Sequence, residues 1–117
     1  MTYRIAIVGP RETVAAFSLL GVDVVPVSTG PEAVAALFKL KRTMRDDRGI
    51  QRNTYAVVFI TEDLAATISP DDERKLQRGA LPAIIPLPSI HEADGTSYGL
   101  QRLKRIVERA IGSDILQ

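Results

Sequence analysis

The chain has 117 residues, 45% of them apolar and 25% charged, with 15 bases against 14 acids for a formal net charge of +1. That is one domain's worth of ordinary globular composition, and the even balance argues against a general nucleic-acid or membrane-surface binder, which would carry a strong basic excess. With no cysteine and one histidine, disulfides, thiolate zinc sites, iron–sulfur clusters and cysteine nucleophiles are excluded, and a serine–histidine triad would depend on a single residue. No apolar run approaches the roughly 20 residues that span a bilayer, and the N-terminus reads as a first strand rather than a signal peptide. The composition points to a reducing, cytoplasmic compartment and leaves little side-chain chemistry for an enzyme.

The first predicted element is the apolar run YRIAIV (3–8), closed by Gly9-Pro10, which is the pattern of a buried strand. Pro10 suits the first position of a helix. Val14, Phe17 and Leu20 follow at helical spacing, with Gly21 as the C-terminal cap. VDVVPV (22–27) is the second strand. Thr29 and Glu32 have capping-box spacing, so a second helix starts near Pro31 with Val34, Leu37, Phe38 and the stem of Lys41 on its inner face. YAVVFI (55–60) is the third strand, and Thr61-Glu62-Asp63 reads as a helix cap followed by two first-turn acids. Ser69-Pro70-Asp71-Asp72 repeats that logic for a short helix ending near Gly79. PAIIPL (82–87) is the fourth strand. A loop from Pro88 to Thr96 leads to a final helix over 97–112, closed by Gly112.

Four short apolar strands alternating with helices imply an α/β fold, a parallel sheet with covering helices. Central strands need their N–H groups on both sides, so proline is confined to edges and ends. Strands one and three lack proline, strand two carries Pro26, and strand four carries Pro82 and Pro86. The expected order is therefore 2-1-3-4 with right-handed crossovers. The expectation is a single domain over 1–117, with an α/β sheet core over 1–88 and an interaction helix over 97–112.

The segment KRTMRDDRGIQRN (41–53) stands apart, with five bases against two acids and hence a local charge of +3, above that of the whole chain. It reads either as a solvated end of helix two plus a loop, or as a docking surface for an acidic partner. Nucleic acid is disfavoured because no aromatic residue is interleaved for base stacking.

Open parallel sheets bind ligands beyond the C-terminal ends of their strands. Here Gly9-Pro10-Arg11-Glu12, Ser28-Thr29-Gly30, Thr61-Glu62-Asp63 and Pro88-Ser89 would meet. The first turn has one glycine and then a proline, and no segment matches G-x-x-x-x-G-K-[ST], so neither familiar nucleotide-binding route is present. The phosphoacceptor receiver domain has a similar element order, but needs an acidic pair after strand one and an aspartate ending strand three. This chain offers only Glu12, with Thr61 at the second position and Asp63 two residues on. His91 lies near Glu92 and Asp94 in the predicted loop, an arrangement read as a solvated loop histidine rather than a metal site. No catalytic, cofactor or metal site is expected.

In the final helix Leu100, Leu103, Ile106, Val107, Ala110 and Ile111 fall in one arc of about 140°, while Arg102, Arg105 and Arg109 lie on the remainder. Such a stripe packs on its own sheet or on a partner.

GVDVVPV (21–27), VVFITEDLA (57–65), PAIIPLPS (82–89) and GLQRLKRIVERAIGSDIL (99–116), with the opening YRIAIVGPRETVAAFSLLGVDV, together resemble the F subunit of V-type and archaeal-type rotary ATPases. The resemblance covers nearly the whole chain in order. It implies a noncatalytic rotor component of the central stalk. Its partner would be the stalk's D subunit, whose coiled coil turns inside the catalytic A/B hexamer, with the A/B ring as a further contact during regulation. It implies no cofactor, and a cytoplasmic protein peripheral to the membrane, reached only through the complex that couples ATP turnover to proton or sodium transport. Carried over by motif, Leu100, Leu103, Ile106, Val107 and Ile111 become the apolar contacts with that coiled coil, and Arg102, Arg105 and Arg109 the charged ones. The segment 41–53 departs from the family pattern in being longer and more basic than the usual link before strand three. The alternative is a stand-alone receiver-like signalling or small-molecule-binding module that lacks the phosphoacceptor site.

Overall fold

A computed structural model describes residues 3–88 together with Arg105 and Arg109. Its first strand, β1 (Arg4–Gly9), is followed by the short helix α1 (Arg11–Val14), a 3-10 segment (Ala15–Leu20) and β2 (Asp23–Pro26). Helix α2 (Gly30–Arg42) leads into a hairpin of β3 (Met44–Asp47) and β4 (Ile50–Asn53). Then come β5 (Tyr55–Thr61), α3 (Glu62–Ala65), α4 (Pro70–Leu76) and β6 (Ala83–Leu87).

The main sheet has four parallel strands in the order β2-β1-β5-β6. With the hairpin set aside, this is the order 2-1-3-4 that proline placement predicts. The proline-free β1 and β5 are central, and the strands bearing Pro26 and Pro86 are the edges. Central strands are covered on both faces, so side chains alternate between two apolar layers. Ala6, Val8, Val58 and Ile60 point to the layer under α2, α3 and α4, where they meet Ala33, Leu37, Leu40, Leu64 and Leu76. Ile5, Ile7 and Phe59 point to the opposite layer and meet Val14 and Phe17. The sheet is therefore wound on both sides.

The local signals act as expected in most places. Gly21 takes φ +78 after the 3-10 segment, a conformation that glycine adopts without steric cost. Thr29 Oγ1 accepts the Glu32 N–H at 3.3 Å and donates to the Glu32 carboxylate at 3.1 Å. Ser69 Oγ accepts the Asp72 N–H at 3.1 Å. Pro10 sits one position earlier than predicted, as the N-cap residue of α1.

The segment 41–53 is not a loop. Its middle forms an antiparallel ribbon in which Met44, Arg45, Asp46 and Asp47 pair with Asn53, Arg52, Gln51 and Ile50. The turn residues Arg48 and Gly49 have φ of 56 and 85, positive at both positions as a type I′ turn requires. The sequence hides this hairpin because neither strand has apolar alternation, a pattern that arises only where one face packs on a core. Since α2 returns against the strand direction, the ribbon lies where the main strands begin. The Arg4 N–H donates to the Thr54 carbonyl at 2.9 Å there.

The same end carries a polar tie across three strands. Arg4 on β1 donates to Asp23 on β2 through two nitrogens, Nε at 2.7 Å. Tyr55 on β5 donates its hydroxyl to the same carboxylate at 2.8 Å. The Arg4 hydrogen bond holds the Asp23 carboxyl below its usual range, against the opposing effect of burial. Burial, followed by the bond to Asp23, pushes the Tyr55 phenol up. A carboxyl depressed in the folded state stabilises above its unfolded pKa, and that stabilisation is lost as pH falls through the folded value. Asp23→Asn is therefore expected to lower stability at neutral pH by about 1 kcal/mol, the ties being partly solvated. The difference from wild type should shrink below about pH 4, and urea midpoints across pH would check both parts.

Candidate functional site

The switch point lies where β1 and its neighbours β2 and β5 end. The Val27 N–H donates to the Gly9 carbonyl at 2.9 Å, closing β2 onto β1. On the other side β5 presses against Gly9 so closely that a Cβ there would stand 2.8 Å from Thr61 Cγ2 and 3.0 Å from Val14 Cγ1. Gly30, which opens α2, is approached the same way, with a Cβ falling 2.5 Å from Thr67 Oγ1. In phosphate-binding turns, glycine makes room for a ligand. Here both glycines make room for threonines of the same chain.

Thr61 takes its predicted cap position, with Glu62 and Asp63 in the first turn, but makes no side-chain cap bond. It is 4% exposed, and its hydroxyl has no hydrogen-bond partner among the described residues. The register explains this: Thr61 ends β5 opposite Leu87, so its side chain turns into the layer against Gly9 rather than toward the helix. Thr29 is occupied as the cap of α2. Glu12, Glu62 and Asp63 are exposed in first turns of α1 and α3. Among the described residues no three His, Cys, Asp or Glu side chains gather as a metal-holding group.

A cleft of about 220 Å³ lies between α4 and β6, lined by Ile60, Ile68, Leu76 and Ile84 together with Glu73 and Gln77. It is below the roughly 300 Å³ at which ligand pockets begin. Of the predicted contact residues, Leu100, Arg102, Leu103, Ile106, Val107 and Ile111 lie outside the described residues, as does His91. Arg105 and Arg109 are helical and exposed. The hairpin is the feature that sequence reasoning leaves open, and it adds exposed Met44 and Ile50 to the basic segment. Among the described residues no helix is long and apolar enough to cross a membrane.

The geometry defines a small doubly wound α/β domain whose strand ends are filled by its own side chains. Residues 5–107 match the family model described as ATP synthase (F/14-kDa) subunit. The chain is 39% identical to the V-type ATP synthase F subunit of Clostridium botulinum, over 99% of this chain and 100% of that protein. It is 34% identical to the V-type F subunit of Fusobacterium nucleatum (99% and 98% covered). It is 30% identical to the A-type F subunit of Thermococcus kodakarensis (96% and 97% covered). In fold it is similar to the crystal structure of the V-type ATP synthase F subunit of Archaeoglobus fulgidus, with a TM-score of 0.56 at 22% identity, over 74% of this chain and 98% of that one. The chain belongs to the family of ATP synthase F subunits.

The unpartnered Thr61 hydroxyl supplies a test of the filled switch point. A buried hydroxyl without a partner carries a desolvation cost of about 1–3 kcal/mol. Thr61→Val keeps the shape and removes the hydroxyl, so it is expected to raise the urea midpoint. Conversely, Gly9→Ala should lower stability by about 1–3 kcal/mol through overpacking against Thr61 and Val14.

Proposed function

We propose that this chain is a noncatalytic central-stalk component of a V/A-type rotary ATPase. It binds the D subunit of the stalk and helps couple ATP hydrolysis or synthesis to proton or sodium transport. The observation that supports the noncatalytic part is the close packing at the end of β1, where a Cβ on Gly9 would stand 2.8 Å from Thr61 Cγ2 and 3.0 Å from Val14 Cγ1, beside the strand ends where a doubly wound domain otherwise holds its ligand. What remains for function is surface. Family membership supports the assembly, because relatives matched over nearly their full length are named as F subunits of V-type and A-type ATP synthases.

The binding element in this reading is the amphipathic segment 97–112. Leu100, Leu103, Ile106, Val107 and Ile111 supply its apolar stripe, and Arg102, Arg105 and Arg109 its charges. A helix of this kind seats its stripe in an apolar groove or on a partner helix, with the anchors at i, i+3 and i+7 carrying most of the affinity. The flanking arginines set orientation and encounter rate more than affinity. The protein reaches the membrane only through the assembly and sits on its cytoplasmic side, with the A/B hexamer as a second neighbour.

Co-expression with the D subunit should yield a stable equimolar complex. Leu103→Asp with Val107→Asp should weaken that complex by at least about tenfold, since central apolar anchors dominate such interfaces. The thermal midpoint of the isolated chain separates lost binding from lost folding. Two folded proteins that fail to associate would sink the proposal.

A further inference from the structure

The β3–β4 ribbon is a separate two-stranded sheet, and a lone ribbon of two strands is marginal in water. Its base is tied down. The Thr54 N–H donates to the Thr43 carbonyl at 3.1 Å, Asn53 Nδ2 to the Lys41 carbonyl at 3.4 Å, and the Arg45 guanidinium lies 5.6 Å from the centre of the Tyr3 ring. Arg52 pairs with Asp47 at 2.9 Å. Its far part is open. There Ile50, opposite Asp47 beside the turn, is 55% exposed, while Met44, on the other face at the base opposite Asn53, is 48% exposed.

Charge is distributed along the strand axis. Glu12, Glu32, Glu62, Asp71 and Asp72 stand in first turns of helices, where the strands end. Lys39, Lys41 and Arg42 stand in the last turn of α2, where the strands begin, and Lys41 Nζ donates to the Arg78 carbonyl there. Helix dipoles account for that much. They do not account for Arg48, which sits on no helix and extends the basic end to the turn of the ribbon, while Arg45 lies over Tyr3 and Arg52 pairs with Asp47. Arg42 and Arg48 are exposed and form no ion pair among the described residues.

From this juxtaposition we infer that the β3–β4 ribbon is a docking element for an acidic protein surface, with Arg42 and Arg48 supplying the charge and Ile50 an apolar contact. The inference rests on the proposed rotary assembly and adds to it a contact distinct from the final helix. A protein fits better than a polyphosphate or a lipid headgroup layer because Ile50 offers an exposed aliphatic contact beside the charge, which phosphates would leave unused. An exposed aliphatic side chain beside charged ones also matches a protein interface, with its apolar contacts and polar rim.

The test compares binding to an assembly of the A, B and D subunits at about 0.05 M and about 0.5 M NaCl, where screening differs strongly. One variant combines Arg42→Glu with Arg48→Asp, and a second is Ile50→Thr. Asp-Gly is a preferred type I′ pair, so Arg48→Asp keeps the turn, and circular dichroism checks the fold. The double variant should bind at least about tenfold more weakly at low salt, and the gap should close at high salt. Ile50→Thr should bind about threefold more weakly at both salt concentrations, as expected for one partly buried aliphatic contact.

Wild-type affinity in both folded variants, with Leu103→Asp plus Val107→Asp still disruptive, would overturn the inference and leave the proposed function standing. No binding by the wild-type chain would remove both. Salt-sensitive self-association abolished by the double variant would also overturn it, assigning the ribbon to a second copy. So would ribbon-dependent binding to phosphatidylserine vesicles with unchanged affinity for the assembly, which would assign it to lipid.

Discussion

The constraint on which this domain depends is that β1 and β5 are buried on both faces and paired on both edges. A strand in that position can hold neither proline nor an unpaired polar side chain without cost. Ala6, Ile7, Val8, Val58, Phe59 and Ile60 meet that demand and are at most 1% exposed. Everything else is arranged around them. Prolines are displaced to β2 and β6, acids and caps to the helix starts, and bases to the helix ends. Fully apolar central strands also leave chemistry only at their ends, and there the chain has filled the space with its own threonine and valine methyl groups.

That filling turns an absence into a physical statement. Doubly wound domains bind ligands where the sheet's neighbours diverge, because the strand ends leave a crevice and the helix starts supply N–H donors. In this member Gly9 is closely packed against Thr61 and Val14 at the end of β1, and Gly30 against Thr67 at the start of α2. These contacts tighten the scaffold around its strand ends, which fits the proposed role of holding surfaces in fixed relation.

Much of this is legible in the sequence, and the reason differs from element to element. Strand order follows from where proline is absent, a backbone rule that no tertiary contact overrides. The caps at Thr29 and Ser69 follow from side chains acting on backbone groups three residues away. Thr61 is the cap residue of α3 as read, but its hydroxyl makes no cap bond, because the residue also ends the buried strand β5 opposite Leu87. The hairpin is missed because its strands pack on no core, so they carry no alternation, and its turn has Arg-Gly in place of the usual Asn-Gly or Asp-Gly. The contact residues of 97–112 rest on family motif and helical periodicity, which define a stripe but not what covers it.

If the strand ends are closed and function resides in the surface, an amide NMR titration of the chain shows it directly, with Mg·ATP and then the D subunit as the added component. Mg·ATP should leave the amides of Gly9, Ser28, Gly30 and Thr61 unmoved, while the D subunit should shift those of 97–112. Saturable shifts at Gly9 and Thr61 on adding Mg·ATP, with 97–112 indifferent to the stalk partner, would contradict both halves of that claim.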